Sequence, residues 1–164
     1  MSWRNKHLTL VIKKANPSPI DLVLKPTDLA YIAGIIDGEG CITINVTKND
    51  SFRSRSIQHI LKVIVRMVEE EAIIFLRNKF GGSISIQKPS KGRIRFVYQW
   101  TLCGKYASSF LAKILPYLKV KANQAKVGIN FQAGFPKQRH PLSQEEFTRR
   151  NFLYNQMREL NHPV

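Results

Sequence analysis

Thr27-Asp28-Leu29-Ala30-Tyr31-Ile32-Ala33-Gly34-Ile35-Ile36-Asp37-Gly38-Glu39-Gly40 is the stretch that decides the fold. Pro26 stands just before Thr27 and Asp28, and either of these can cap a helix N-terminus. Apolar residues then run right round the cylinder, with Leu29, Ile32 and Ile36 on one stripe and Tyr31 and Ile35 on another. A helix that is apolar on every side is buried on every side. The remaining stripe, Ala30, Ala33, Gly34 and Asp37, is almost wholly small, which lets a second helix backbone come close. Two acids follow in a glycine setting, Asp37-Gly38-Glu39-Gly40. Carboxylates at the end of a packing helix have no packing use, so the stretch points to chemistry at an interface.

Outward from that helix, the 164 residues make one domain with room for a real core. Lys and Arg number 26 against 11 Asp and Glu, a net charge of +15. So basic a chain calls for a polyanionic partner, nucleic acid or an anionic membrane surface. No apolar run approaches the roughly 18 residues of a bilayer span. The run Leu8–Ile12 after Arg4 and Lys6 ends at Lys13 and Lys14 without a small-residue cleavage site, so no signal peptide is expected. Two cysteines, Cys41 and Cys103, exclude a disulfide scaffold and a four-cysteine zinc site, and imply a reducing, intracellular compartment, cytoplasm or organelle. His7, His59, His140 and His162 lack metal-ligand spacing.

Residues 1–25 read as a basic N-terminal arm outside the core. After the helix, Cys41–Thr47 alternates strictly, with Ile42, Ile44 and Val46 on one face and Thr43, Asn45 and Thr47 on the other, as in a half-buried strand. Lys48-Asn49-Asp50-Ser51 reads as a turn. A second strand over 56–67 turns His59, Leu61, Val63 and Val65 inward and Gln58, Lys62 and Arg66 outward. Glu69-Glu70-Glu71 puts acids in the first turn of a helix, where the dipole favours them, and Gly81-Gly82 ends it. Strands over 83–87 and 93–100 are joined by Pro89-Ser90-Lys91-Gly92, with Tyr98 and Trp100 facing the core. Helices are expected over about 104–114, from near Leu118, and from the capping box Ser143-Gln144-Glu145-Glu146, the last anchored by Phe147, Leu153, Met157 and Leu160.

Two hairpins, each preceded by a helix, predict an α/β (α+β) fold: a four-stranded antiparallel sheet with helices on one face. The free face then gathers Thr43, Asn45, Thr47, Gln58, Lys62, Arg66, Ser85, Gln87, Arg93, Arg95 and Gln99. These are donors and acceptors of the kind that read base edges, mixed with cations that hold phosphates. Any one of them alone would be ordinary solvated surface.

Ile32-Ala33-Gly34-Ile35-Ile36-Asp37-Gly38-Glu39-Gly40 resembles the signature of the LAGLIDADG homing endonucleases. The helix–hairpin–helix–hairpin order, the joint Phe80-Gly81-Gly82-Ser83-Ile84 and the segment Leu115–Ala125 extend the likeness over about residues 27–130. The resemblance implies an αββαββα core over 26–134, with a helical tail, 135–164, packed on it. It also implies a site-specific DNA endonuclease of intron homing. The chain has one motif, so the resemblance further implies a homodimer through the 27–38 helix, with Ala30, Ala33, Gly34 and Asp37 at its interface. Such a dimer reads a long, nearly palindromic site on double-stranded DNA.

Within that resemblance, Glu39 falls at the metal-binding position and the carbonyl of Gly38 is its companion ligand. The cofactor is then Mg²⁺, suited to few carboxylates plus waters and phosphate oxygens. Lys121 falls at the lysine kept near the scissile phosphate, a catalytic position with a role in activating water or stabilising charge; the plainer reading is that Lys119, a DNA-binding candidate, and Lys121 simply hold the phosphate backbone. One departure stands out. Aligned from Phe75-Leu76, Val68 and Ala72 occupy positions where the family often carries a Gln and a basic residue around the active-site water. Either the alignment slips and Arg66, Glu69 or Lys62 substitutes, or the water network differs. Two other readings share the fold, an RNA-binding maturase acting on its intron and a DNA-binding protein that has lost cleavage. The intact Gly38-Glu39-Gly40 argues against a pure maturase.

Overall fold

The computed structural model describes residues 10–12, 24–51, 54–89, 94–134 and 143–162. The elements in chain order are β1 (Leu10–Ile12), α1 (Pro26–Glu39), β2 (Gly40–Ser51), β3 (Ser54–Met67), α2 (Glu70–Phe80), β4 (Ser83–Gln87), β5 (Val97–Cys103), α3 (Gly104–Ile114), a 3₁₀ turn (Leu115–Tyr117), α4 (Ala122–Ala133) and α5 (Gln144–Asn161). All strands pair antiparallel in the order β1-β4-β5-β3-β2. The four strands expected from alternation form the sheet. The N-terminal arm also contributes to it, since Leu10–Ile12 pairs with Ile86–Ile84 and adds a fifth, edge strand.

Several boundaries differ from the sequence expectation, for physical reasons. The β2–β3 ladder runs on to Ser51↔Ser54, so Lys48–Ser51 is strand rather than turn. β5 begins at Val97, not 93: β4 stops at Gln87, the partner of Val97, and the described residues 94–96 are not strand. Ile94, on the alternation of Tyr98 and Trp100, is consequently 96% exposed. Ser90–Arg93, including most of the expected turn, lies outside the described residues.

One face of the sheet carries the core. Ile42, Ile44, Leu61, Val63, Val65, Ile84, Trp100 and Leu102 are buried there against α1, α2, α3 and α4. Trp100 donates its indole N–H to the Gly81 carbonyl at 2.6 Å and sits edge-on to Phe110, 5.3 Å between ring centres. Gly82 takes φ +90, and a Cβ there would lie 2.6 Å from the Thr101 carbonyl oxygen, so only glycine makes the α2–β4 joint.

α5 braces the opposite end of the core. The Ser143 hydroxyl accepts the Glu146 N–H at 3.2 Å, but the Glu146 carboxylate turns to Arg149 and Arg150, so only half of the expected capping box forms. Leu153 and Met157 are buried, while Phe147 and Leu160 are half-buried. Arg149 donates to the carbonyls of Asn130 and Phe131, and Asn161 donates to the Ile42 carbonyl at 2.9 Å. His59, inward as expected, shares a 2.9 Å hydrogen bond from Nε2 with Asn151 Oδ1.

Candidate active site and DNA-binding face

α1 passes directly into β2, and Gly40 makes that possible. Its N–H closes the helix on the Ile36 carbonyl, and a Cβ at Gly40 would stand 2.6 Å from that oxygen. Glu39 therefore projects from the junction of helix and sheet, and it is exposed. Among the described residues no hydrogen bond or ion pair engages its carboxylate.

The two acids of the motif have different work. Asp37 accepts the backbone N–H groups of Lys119, at 2.7 Å, and Lys121, at 2.9 Å. Burial works to raise its pKa, but these N–H groups, with that of Val120 and the Lys121 charge, outweigh it and hold the carboxyl below its ordinary value. Lys121 returns the link, because its Nζ donates to the carbonyls of Ile36 (2.9 Å) and Asp37 (2.8 Å). These carbonyls end α1, where a cation also meets the negative pole of the helix. The Lys121 ammonium thus holds the helix end from which Glu39 projects, with one N–H remaining. α4 starts at Ala122 rather than near Leu118, because Leu118 is extended (φ −69, ψ 136) and leads into the latch loop, with Lys121 as the N-cap.

The donor set, all oxygen, suits a hard divalent cation. Glu39 offers carboxylate oxygens, and helix geometry leaves the Gly38 carbonyl unclaimed within α1. Among the described residues no three His, Cys, Asp or Glu side chains converge. One carboxylate and one carbonyl cannot complete a coordination sphere, which matches a Mg²⁺-type ion that keeps waters and takes phosphate oxygens from its substrate.

The sheet face away from the helices lies next to this junction. Cross-strand pairing lines up Thr43, Lys62 and Cys103 in one row across β2, β3 and β5, sets Thr47 beside Gln58, and lines up Arg66, Gln99 and Ser85 in another row across β3, β5 and β4. Gln58, Arg66 and Thr47 are exposed, and Thr43, Asn45, Lys62, Ser85, Gln87 and Gln99 are half-exposed. Arg95 is exposed but precedes β5, Lys119 belongs to the latch loop rather than the sheet, and Arg93 lies outside the described residues. The sequence reading passed over Ile60 and Ile64, which share this face by register (Asn45↔Ile60, Ile64↔Thr101) and offer apolar contact to thymine methyl groups. Their even-numbered alternation with Lys62 was the available signal.

The small stripe of α1 needs correction. Ala33 is fully buried in the chain's own core, and the Asp37 carboxylate faces the latch. Beyond the first turn of α1, Ala30, Tyr31, Gly34, Gly38 and Glu39 are the exposed residues, and a Cβ at Gly34 or Gly38 would meet nothing within 4 Å. The open strip is thus Ala30-Gly34-Gly38, a spacing of four that the sequence reading rotated by about one residue.

Comparison with known proteins agrees with this architecture. A family model described as LAGLIDADG endonuclease matches residues 32–134. The DNA endonuclease I-CvuI of Chlorella vulgaris is 23% identical over 112 residues, 68% of each chain. The crystal structure of I-CvuI in complex with its target in the presence of 2 mM Ca superposes with a TM-score of 0.66 at 20% identity, covering 82% of both chains. The archaeal intron-encoded homing endonuclease I-Vdi141I, complexed with DNA, gives 0.66 at 17% identity over 84% of this chain and 86% of its own. With its motif helix, its antiparallel sheet and a family match over most of its length, the chain belongs to the LAGLIDADG endonuclease family and is a DNA endonuclease of the homing type.

Proposed function

We propose that two copies of this chain, joined through the open strip of α1, cut both strands of a DNA duplex at a long, nearly palindromic site by Mg²⁺-dependent phosphodiester hydrolysis, in the service of intron homing. The observation that carries this reading is Glu39, an exposed and unengaged carboxylate held by Gly40 and the Asp37–Lys121 latch beside the open glycine strip. A strip that lets two helices approach closely brings two Glu39 carboxylates together, one for each strand.

Glu39 and the Gly38 carbonyl would hold the ion, which when bound supplies charge to activate a water and to stabilise the leaving oxygen. The water oxygen adds to phosphorus, the P–O bond to the leaving sugar breaks, one water proton goes to solvent and the leaving oxygen takes up a proton. Lys121 keeps the helix end fixed while this happens. The sheet face sets the register on the duplex, its cations on phosphates and its amides and hydroxyls on base edges.

A duplex library of randomised palindromic sites, incubated with the protein and Mg²⁺, tests the reading. The wild type is expected to make double-strand breaks at a small set of sites, and Glu39→Gln to bind the same sites without cutting. Binding without cutting at any site by the wild type overturns the enzyme, and cutting by Glu39→Gln overturns the assignment of the acid.

A further inference from the structure

β3 carries one alternating column on the free face of the sheet: Arg66, Ile64, Lys62 and Ile60. Gly40 pairs with Val65, so the column runs outward from the motif corner in that order. Its neighbours in the sheet are uncharged. Ile64 lies between Cys41 and Thr101, Lys62 between Thr43 and Cys103, Ile60 beside Asn45 and Arg66 beside Gln99. Both isoleucines are half-exposed, and neither belongs to the core or packs against it. An isoleucine so placed fits a partner that brings an apolar group, and in the major groove that group is the thymine methyl. The cations are placed for the groove floor as well. The groove is about 12 Å wide and strands lie about 4.8 Å apart, so an inner strand rides over the bases while its neighbours meet the phosphate walls. Arg66 donates from Nε to Gln99 Oε1, which leaves its Nη edge for the O6 and N7 of guanine.

Resting on the reading of this face as the DNA interface, we infer that β3 selects guanine, thymine, guanine and thymine, in that order outward from the cut, in each half of the site. Arg66 and Lys62 each take the O6 and N7 of a guanine, and Ile64 and Ile60 each cover a thymine methyl. Successive members of the column are about 6.6 Å apart, and base pairs rise about 3.4 Å. Each therefore meets a base pair, on one strand or the other, no more than two steps from the last. The four are specificity-determining residues, two of them cations that would otherwise be assigned to phosphates.

The test uses full-length protein and the duplex that the wild type selects from the randomised library, with binding measured in Ca²⁺. Each selected half-site is expected to carry the four bases in that order and at those spacings. Replacing one of the thymines by deoxyuridine removes only its methyl. The wild type is expected to bind the replaced duplex about fourfold more weakly, the worth of one buried methyl. Ile64→Ala and Ile60→Ala are each expected to ignore the replacement at their own position. Ile64→Val and Ile60→Val keep a branched apolar tip and are expected to retain the thymine preference, which separates a lost contact from a lost fold. Arg66→Ala and Lys62→Ala are each expected to lose about 10- to 100-fold of discrimination at one guanine. Alanine variants of the isoleucines that still distinguish thymine from deoxyuridine overturn the apolar contacts. Cation variants that bind more weakly across all sequences, with a salt slope lower by about one, reveal phosphate contacts and overturn the guanine assignment. A wild type that binds every duplex alike overturns the parent reading as well, whereas selective cutting at sites without this order overturns the column alone.

Discussion

Asp37 shows how much one carboxylate can settle. The buried helix before it explained its neighbours, and position alone placed it on the partner-facing side. In the structure its two oxygens receive the N–H groups of Lys119 and Lys121, residues more than 80 positions away along the chain. No sequence period reports a contact at that separation, so the latch was not legible. Replacing Asp37 by Ala leaves two N–H groups without their acceptor, a loss of about 1–3 kcal/mol, with partial solvent access favouring the lower end. Asp37→Asn keeps one acceptor oxygen and is expected to lose less. The sign of the pH effect follows from the direction of the shift. The folded carboxyl titrates below its unfolded value of about 3.9, so its stabilisation is complete above that value and fades as pH falls through the folded pKa. Thermal melts should therefore show a wild-type advantage over Asp37→Asn that is constant from about pH 7 to 5 and shrinks below about pH 4; an advantage that grew on acidification would contradict the latch.

At the scale of elements, alternation was the reliable signal. β2 and β3 read correctly over Ile42–Asn45 and His59–Arg66, where each has a buried face and a wet one, so period two is imposed by burial itself; toward the far end of the ladder Val46 is exposed and Lys48–Ser51, expected as a turn, is strand. β5 was drawn too long because Ile94 and Phe96 continue the alternation past the point where β4 can pair. Leu10–Ile12 was read as arm because a three-residue strand carries too little pattern to stand out. α1 was legible as a helix and as a packing element, but being apolar all round it gave no single phase, and the small stripe was placed over Ala33 when the open strip is Ala30-Gly34-Gly38. Gly34 tests that strip cleanly. A side chain there meets nothing within the chain, and leucine is a better helix former than glycine by up to about 1 kcal/mol. Gly34→Leu is therefore expected to fold, with a melting temperature of the isolated chain equal to or above the wild type, and to lose self-association in sedimentation experiments. A Gly34→Leu protein that still dimerises with wild-type affinity would place the interface elsewhere.

For the molecule as a whole, the net charge of +15 draws any DNA and says little about what happens to it, so cleavage has to come from geometry. Helices cover one face of the sheet, α5 braces the far side through Asn161 and Arg149, and the free face meets the motif helix at Glu39. A single chain puts only one such acid at that corner, and a second strand of DNA needs a second acid. In the proposed dimer, two-fold pairing through α1 would supply it and make each protomer responsible for one strand. That division of labour has a consequence that neither a monomeric enzyme nor a DNA-binding protein shares. A heterodimer of one wild-type protomer and one Glu39→Gln protomer, separated by distinct affinity tags, keeps both sheet faces and loses one acid. It is expected to bind a supercoiled plasmid carrying the selected site as tightly as the wild type and to convert it to nicked circles rather than linear DNA. Full linearisation at the wild-type rate would mean that one Glu39 serves both strands. Intact supercoiled plasmid would mean that the two acids act as one unit. Only the nicked product is compatible with one acid per strand.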